Sequence, residues 1–327
     1  MGLGVELAGA RVLVTGGSGL IGSHVVDRLV AAGAERVVVL DREVRSENLE
    51  GALESGRVET VEGDLRDSAA VEQALQGTDA VVHLAALLMS AGRARMRDAV
   101  EVNILASYDL IERALDAGAR RFVLGSTVGV YGQPEGAGRV DERAPINARS
   151  AYGASKFAVE LICRAFADER GLDYVALRLG TTYGARMSRR GLFPRHFFDA
   201  LEAADAGRVP RLPGDPAEVH DFLYVDDAAE AIELALAADV TDTAITIASG
   251  ESHTIGEIYT TLLDVYGAPT EIEWVPREYV FATDRRWDVS RARETLDWTA
   301  RTSLRDGLRR FVEWRAQEAD AETAGTA

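Results

Sequence analysis

The run Thr15–Gly22, TGGSGLIG, constrains this chain more than any other stretch. It follows directly on a β-branched run, Arg11–Thr15 (RVLVT), and leads into an amphipathic stretch, Gly19–Ala32. Gly16, Gly19 and Gly22 stand three apart. The first suits a tight turn, the second lets backbone approach a pyrophosphate, and the third lets a helix pack closely on its strand. The helix N-terminus adds unpaired N–H donors and the positive end of a dipole. Asp41 comes 19 residues after Gly22, at the end of a second β-rich run, Arg36–Leu40, where a carboxylate accepts from both ribose hydroxyls. Such a carboxylate disfavours a 2′-phosphate, which points to NAD rather than NADP, although the neighbouring Arg42 offers a guanidinium that tolerates one.

The rest of the first half repeats this alternation. Strands are predicted at Val58–Glu62, Ala80–Leu84, Phe122–Gly125 and Tyr174–Leu179, with helices at Ala69–Gln76, Arg95–Ala117 and Tyr152–Glu169. This is the pattern of an α/β fold with a doubly wound, Rossmann-type parallel sheet. Beyond Gly180 it loosens into loop-like segments, Gly184–Gly191 and Arg208–Pro216, before returning at Asp221–Ala238 and Ala244–Ala248. The expected organisation is therefore a nucleotide-binding domain of residues 1–180 and 221–250. A smaller, interleaved C-terminal substrate lobe takes 181–220 and 251–316, and 317–327 form a frayed tail.

Charge narrows the partners. With 36 basic against 53 acidic side chains the 327-residue chain carries −17, which repels nucleic acid and anionic lipid. It shows no membrane-length apolar run and no signal-peptide layout at Met1–Ala10, so a cytoplasmic location is expected. Cys163 reads as a buried thiol on a helix face. His83 reads as a hydrogen-bonded core histidine, and His24, His196 and His253 lack metal-ligand spacing, so no metal is expected. Trp274, Trp287, Trp298 and Trp314 read as core.

Tyr152 and Lys156 lie four apart at the start of a predicted helix, on one face. A phenol is a poor base at neutral pH, and a nearby ammonium together with a nicotinamide cation stabilises its ionised form. In company with the glycine run, this pair makes the chain resemble the extended short-chain dehydrogenase/reductases of the NAD-dependent epimerase/dehydratase family, which include nucleotide-sugar 4-epimerases. The resemblance runs through Asp41, Gly63–Leu65 (GDL), His83–Ala86 (HLAA), Asn103, Gly125–Gly132 (GSTVGVYG), Tyr152–Lys156 (YGASK), Arg178–Gly184 (RLGTTYG), His220–Asp227 (HDFLYVDD) and Asp288–Trp298.

That resemblance implies an NAD site made of Gly16, Gly19, Leu20, Ile21, Gly22, Asp41, Arg42, Asp64 at the adenine edge, Leu65, and Leu84, Ala85 and Ala86 as the floor. Lys156 would hold the nicotinamide ribose, Tyr152 would act as base and Thr127 as proton relay. Asn103 reads equally as a cofactor contact or as a tie between helix and strand. The helices at Arg95–Ala117 and Tyr152–Glu169 resemble a dimer-forming pair, so a homodimer is expected.

Val128 and Gly129 follow Thr127 where dehydratases of this family carry acids, which disfavours a 4,6-dehydratase. His220 stands where nucleotide-sugar enzymes place a diphosphate-binding arginine. Arg186, Arg189, Arg190, Arg195, Arg211, Arg285 and Arg286 are the candidate replacements, with Arg186 and Arg285 set beside His220, Thr127 and Tyr152 as substrate contacts. The leading expectation is an NAD-dependent epimerase acting on a sugar or nucleotide sugar. Its rivals are an NAD-linked dehydrogenase or ketoreductase on a nucleotide-free substrate and, from another class, a non-catalytic nucleotide sensor.

Overall fold

The computed structural model describes residues 4–88, 96–133, 138–189, 192–277 and 286–325. Of the residues singled out above, Arg190, Arg285 and the first residue of the Arg95–Ala117 helix lie outside these.

Strands β1 (Arg11–Thr15), β2 (Arg36–Asp41), β3 (Val58–Glu62), β4 (Ala80–His83), β5 (Arg121–Thr127), β6 (Tyr174–Leu179) and, much later, β11 (Thr243–Ile247) form one seven-stranded sheet. Its spatial order is β11-β6-β5-β4-β1-β2-β3 and every pairing is parallel. The inner strands β1, β4 and β6, with β2, are largely apolar runs because helices cover both faces, whereas the edge strand β3 (VETVE) is mostly polar and only part-buried. On one face α1 (Leu20–Ala31), α2 (Glu50–Glu54) and α8 (Val225–Ala237) bury Val25, Leu29, Ala228 and Ile232 against Val12, Val14 and Val175. On the other, α3 (Ser68–Ala74), α5 (Ala106–Asp116) and α6 (Ala151–Arg170) bury Val71, Leu110 and Cys163 against Leu13, Val81 and Phe122. The strand order reverses between β1 and β4, and the carboxyl ends of the strands open there into a crevice.

The segment read as one helix, Arg95–Ala117, is α4 (Met96–Val100), a π-helical turn (Glu101–Leu105) and then α5. The wider turn carries Asn103, and turns of this kind collect at functional sites.

The second lobe has its own aromatic core. Elements β7 (Thr181–Tyr183), α7 (Leu192–Asp205), β8 (Arg211–Pro213), β9 (Val219–His220), β10 (Phe222–Tyr224), β12 (His253–Thr254), α9 (Ile255–Tyr266), β13 (Glu273–Val275) and α11 (Leu304–Gly325) belong to it. Tyr183, Phe197, Phe222, Tyr259 and Phe311 meet there. Phe222 and Tyr224 thus sit in the second core although the sequence places 221–250 with the first. Conversely, Ala292 and Leu296 of α10 (Ser290–Leu296), with Trp298, pack into the first core. Residues 317–325, read as a frayed tail, continue α11, whose end is rich in the good helix formers Ala and Glu. Among the described residues no helix is long and apolar enough to cross a membrane.

Candidate active site

A cleft of about 870 Å³ lies along the carboxyl edge of the sheet. Its lining includes Gly16, Gly19, Leu20, Ile21, Gly22, Asp41, Arg42, Asp64, Leu65, Leu84, Ala85, Ala86, Thr127 and Tyr152, while Met187, Ser188 and Pro194 close it from the second lobe. Lys156, Asn103, Arg186 and His220 are not among the residues that line it.

Gly16 and Gly22 of the loop leave no room for a side chain. Gly16 has φ +69°, and a Cβ there would stand 2.9 Å from the Ala85 nitrogen. A Cβ on Gly22 would meet the Gly16 carbonyl at 2.2 Å. Gly19 caps α1 without a side-chain bond, and the first turn of α1 holds no acid, so the helix offers its N–H groups and dipole to the cleft. A cradle that any Cβ would fill, facing an uncapped helix start inside a cleft of this size, fits the pyrophosphate of a dinucleotide. Asp41 closes the far end, held by the Ser18 hydroxyl at 2.8 Å. Asp64 is already engaged: Arg66 donates to its carboxylate from Nε at 2.8 Å and Nη2 at 2.9 Å, which holds its pKa below the usual range.

Thr127 ends β5 and its oxygen accepts from the Gly129 N–H at 3.0 Å, which aims the hydroxyl proton elsewhere. The first turn of α6 comes close to this corner because Gly153 has no side chain; a Cβ there would stand 2.6 Å from the Gly129 carbonyl. Ser150 caps the helix by accepting from the Gly153 N–H. Tyr152 thereby lines the same cleft as Thr127. Burial pushes the Tyr152 phenol up to about 12 and the Lys156 ammonium down to about 8. The protein alone therefore keeps Tyr152 protonated at neutral pH, in keeping with the expectation that the ammonium acts together with a nicotinamide cation. A second positive charge is required.

The bonds that Asn103 makes are those of a tie between helix and loop. Its Oδ1 accepts from the Leu87 N–H at 2.7 Å, and its Nδ2 donates to the Leu87 carbonyl and the Ser155 hydroxyl, both at 3.1 Å. It holds the cleft loop against α6 and is not among the residues that line the cleft. His83 is fully buried between the Thr15 hydroxyl at 2.7 Å and the Ser107 hydroxyl at 2.9 Å, as a core histidine should be.

The expected substrate contacts fare differently. Arg186 pairs with Asp27 of α1 at 2.6 Å. His220 is 1 % exposed, edge-on to Phe193 and 3.5 Å from the carboxylate of Glu218. Glu218 in turn accepts twice from Arg277, at 2.6 Å. Of the other candidates, Arg189 pairs with Glu202, Arg195 with Asp199 and Arg211 with Glu273.

Ser18, Ser126 and Arg178 lie inside the quoted motifs without a role of their own, and Glu160 lies in the predicted helix Tyr152–Glu169. Ser126 donates to Glu160, and Arg178 grips the same carboxylate at 2.7 Å. The one available signal was the spacing: Tyr152, Lys156 and Glu160 repeat every four residues on one helix face.

Residues 12–248 match the family described as the NAD dependent epimerase/dehydratase family, and the chain belongs to it. It is thus an enzyme-family chain of the extended short-chain dehydrogenase/reductase type. It is 31% identical over 315 residues to a UDP-glucose 4-epimerase of Mycolicibacterium smegmatis, covering 93% of this chain and 98% of that one. Among solved structures it is similar to UDP-N-acetylglucosamine 4-epimerase from Methanobrevibacter ruminantium in complex with UDP-N-acetylmuramic acid. There the TM-score is 0.85 at 26% identity, over 95% and 99% of the two chains. It is equally similar to a dTDP-glucose 4,6-dehydratase from Streptomyces venezuelae with NAD bound, with TM-score 0.85 at 31% identity over 95% and 98%. The match to both groups agrees with the fold and with a nucleotide-binding enzyme, and it leaves the reaction to the residues of the site.

Proposed function

We propose that this chain is an NAD-dependent epimerase acting on a nucleotide sugar, by transient oxidation of a hydroxyl-bearing carbon to a ketone and return of hydride to the opposite face. The observation that carries the reading is the meeting of Thr127 and Tyr152 with the glycine loop in one cleft, with Val128 and Gly129 in place of a leaving-group acid. Gly16, Gly19, Leu20, Ile21 and Gly22 hold the pyrophosphate, Asp41 and Arg42 the adenosine ribose, Asp64 and Leu65 the adenine side, and Leu84, Ala85 and Ala86 the floor. Bound NAD supplies the hydride acceptor and the positive charge that the buried phenol lacks. Tyr152 then takes the proton of the substrate hydroxyl, Thr127 donates to the same oxygen, and Lys156 holds the ribose and the proton balance of Tyr152. The absence of an acid after Thr127 favours epimerisation over elimination.

The exposed apolar side chains Met96, Val100, Leu105 and Tyr108 on the α4–α5 segment, with Leu161 on α6, support assembly as a homodimer through these helices. Light scattering at twice the chain mass is the expected result.

A second reading has its own support. The buried Glu218 carboxylate neutralises Arg277 and sits beside His220, so this corner of the second lobe is less cationic than a diphosphate partner requires. That favours an NAD-linked dehydrogenase on a nucleotide-free hydroxylated substrate. One experiment separates the two. The protein is incubated with NAD and a panel of UDP- and dTDP-sugars and free sugars, with product followed by NMR and reduced cofactor by absorbance. An epimeric product without accumulating reduced cofactor supports the first reading; stoichiometric reduction of added NAD with a free sugar supports the second. Under either, Tyr152→Phe should lower kcat by about 10²- to 10⁴-fold with an unchanged melting temperature.

A further inference from the structure

Lys156 is the single lysine of the chain; every other fixed positive side chain is arginine. It is 2 % exposed, and four residues further along the same face of α6 comes Glu160, 6 % exposed. A buried carboxylate is costly unless its lone pairs are used. Those of Glu160 are: the Ser126 hydroxyl donates to Oε1, and the Arg178 guanidinium donates from Nε to both oxygens at 3.2 Å and from Nη2 to Oε2 at 2.7 Å. Ser126 is the residue before Thr127 on β5, and Arg178 lies on β6 directly beside Ser126 in the parallel register. Arg178 also donates to the Tyr131 hydroxyl at 2.8 Å, at the end of the turn that Thr127 caps. Three pieces of the candidate site, the helix bearing Tyr152 and Lys156, the strand end bearing Thr127, and the turn behind it, are therefore joined through one carboxylate.

We propose that Glu160 is a positioning residue for the Thr127, Tyr152 and Lys156 set: it pins α6 to the end of β5 and keeps a negative charge one helical turn from the Lys156 ammonium. This rests on the reading of those three residues given above. Both parts of the role matter to that chemistry. Thr127 and Tyr152 have to reach the same substrate oxygen, which a slip of α6 along the sheet would prevent. Lys156 has to stay an ammonium to bind the ribose and support Tyr152, in a place where burial works against its charge. Burial disfavours the ammonium most, and Cys163 and then Glu160 on α6 favour it, whereas Tyr152 is neutral and His83 on β4 is held neutral. Arg178, across the pair from β6, offsets part of the Glu160 charge, and Tyr131 is kept in its neutral form. Cys163 is itself kept as a neutral thiol by burial, which leaves Glu160 as the standing negative charge on that face.

The sole lysine makes the test direct. Full-length protein grown with lysine labelled at the ε-carbon gives one side-chain resonance, whose shift against pH reports Lys156 without substrate or NAD. A protein that fails to bind NAD would therefore sink the proposed function and leave this measurement standing. In wild type the midpoint is expected near 8. In Glu160→Gln it should fall by about one pH unit, and Glu160→Asp, which keeps the charge on a shorter arm, should restore part of the shift. Because Glu160→Gln leaves Arg178 buried without its counter-charge, the double variant Glu160→Gln/Arg178→Gln, an amide pair in place of the ion pair, serves where the single variant does not fold. Its midpoint should fall in the same direction by less. A folded variant of either kind whose Lys156 midpoint matches wild type overturns the proposal.

Discussion

The Asp41 carboxylate at the end of β2 accepts two hydrogen bonds from Ser18, one from the backbone N–H at 3.2 Å and one from the hydroxyl at 2.8 Å. Both fall on Oδ2. The carboxylate is thus fixed to the glycine loop by one oxygen in the lining of the cleft, and a carboxylate at this place suits ribose hydroxyls and is hostile to a 2′-phosphate. A hydrogen bond to a charged group contributes about 1.5–3 kcal/mol. Asp41→Ala should accordingly weaken NAD binding by about ten- to a hundredfold and bring NADP affinity up relative to it, with Arg42 now unopposed. Calorimetric titration with each cofactor measures this. An unchanged ratio of the two affinities would remove Asp41 from the site.

The close approach of α1 to the loop gives a sharper pair of expectations. Alanine at Gly22 drives a Cβ into the Gly16 carbonyl at 2.2 Å and the Gly17 Cα at 2.7 Å, and both neighbours are backbone. Overpacking of this kind costs about 1–3 kcal/mol, and the shifted loop should lose NAD affinity as well. Gly51, exposed within α2, meets nothing within 4 Å. Gly51→Ala should therefore raise stability by up to about 1 kcal/mol through helix propensity alone. Urea midpoints for the two variants should move in opposite directions.

These two examples also mark what the sequence discloses. The glycine loop, Asp41, and the Tyr152 and Lys156 pair are legible because their meaning lies in local spacing, within a turn or along one helix. Four strands or helices away, spacing says nothing. That Asn103 reaches Leu87 and Ser155 depends on a π-helical turn that no periodicity announces, and that Glu160 joins three elements depends on β5 and β6 lying side by side. His220 was placed at a substrate position by its neighbours in sequence, yet the partner that decides its character, Glu218 with Arg277, comes from the folding of the second lobe. The end of α11 is ambiguous for another reason: a polar, alanine-rich stretch fits a tail or a solvated helix equally well.

His83 should leave a signature in the pH dependence of stability. Burial, aided by the charge of Lys156, holds its pKa at about 3, well below the ordinary histidine value. The folded protein keeps the ring neutral, whereas the unfolded chain takes up a proton below about 6.5. The contribution is complete above about pH 6.5 and is lost as pH falls toward 3, by up to about 1.4 kcal/mol for each unit. His83→Gln, which keeps a side chain able to meet Thr15 and Ser107 and cannot protonate, should show a flatter loss of stability on acidification. Equal slopes in wild type and variant, from chemical denaturation at a series of pH values, would show that the ring titrates freely.

Asn103 tests whether a residue outside the cleft can control what the cleft binds. Its amide accepts from the Leu87 N–H and donates to the Leu87 carbonyl and the Ser155 hydroxyl, so one side chain holds the loop Leu84–Leu88 against α6. Asn103→Ala leaves these groups to find other partners, and each one left buried and unsatisfied costs about 1–3 kcal/mol. The loop forms the floor of the cleft, so its loosening should weaken NAD binding by roughly tenfold, about 1.4 kcal/mol, although Asn103 makes no contact there. Hydrogen exchange distinguishes a tether from a ligand. In Asn103→Ala the amides of Leu84–Leu88 should exchange faster even without NAD, and added NAD should recover part of the protection. A variant with wild-type exchange in this loop and weakened NAD binding would instead put the Asn103 amide in direct contact with the cofactor.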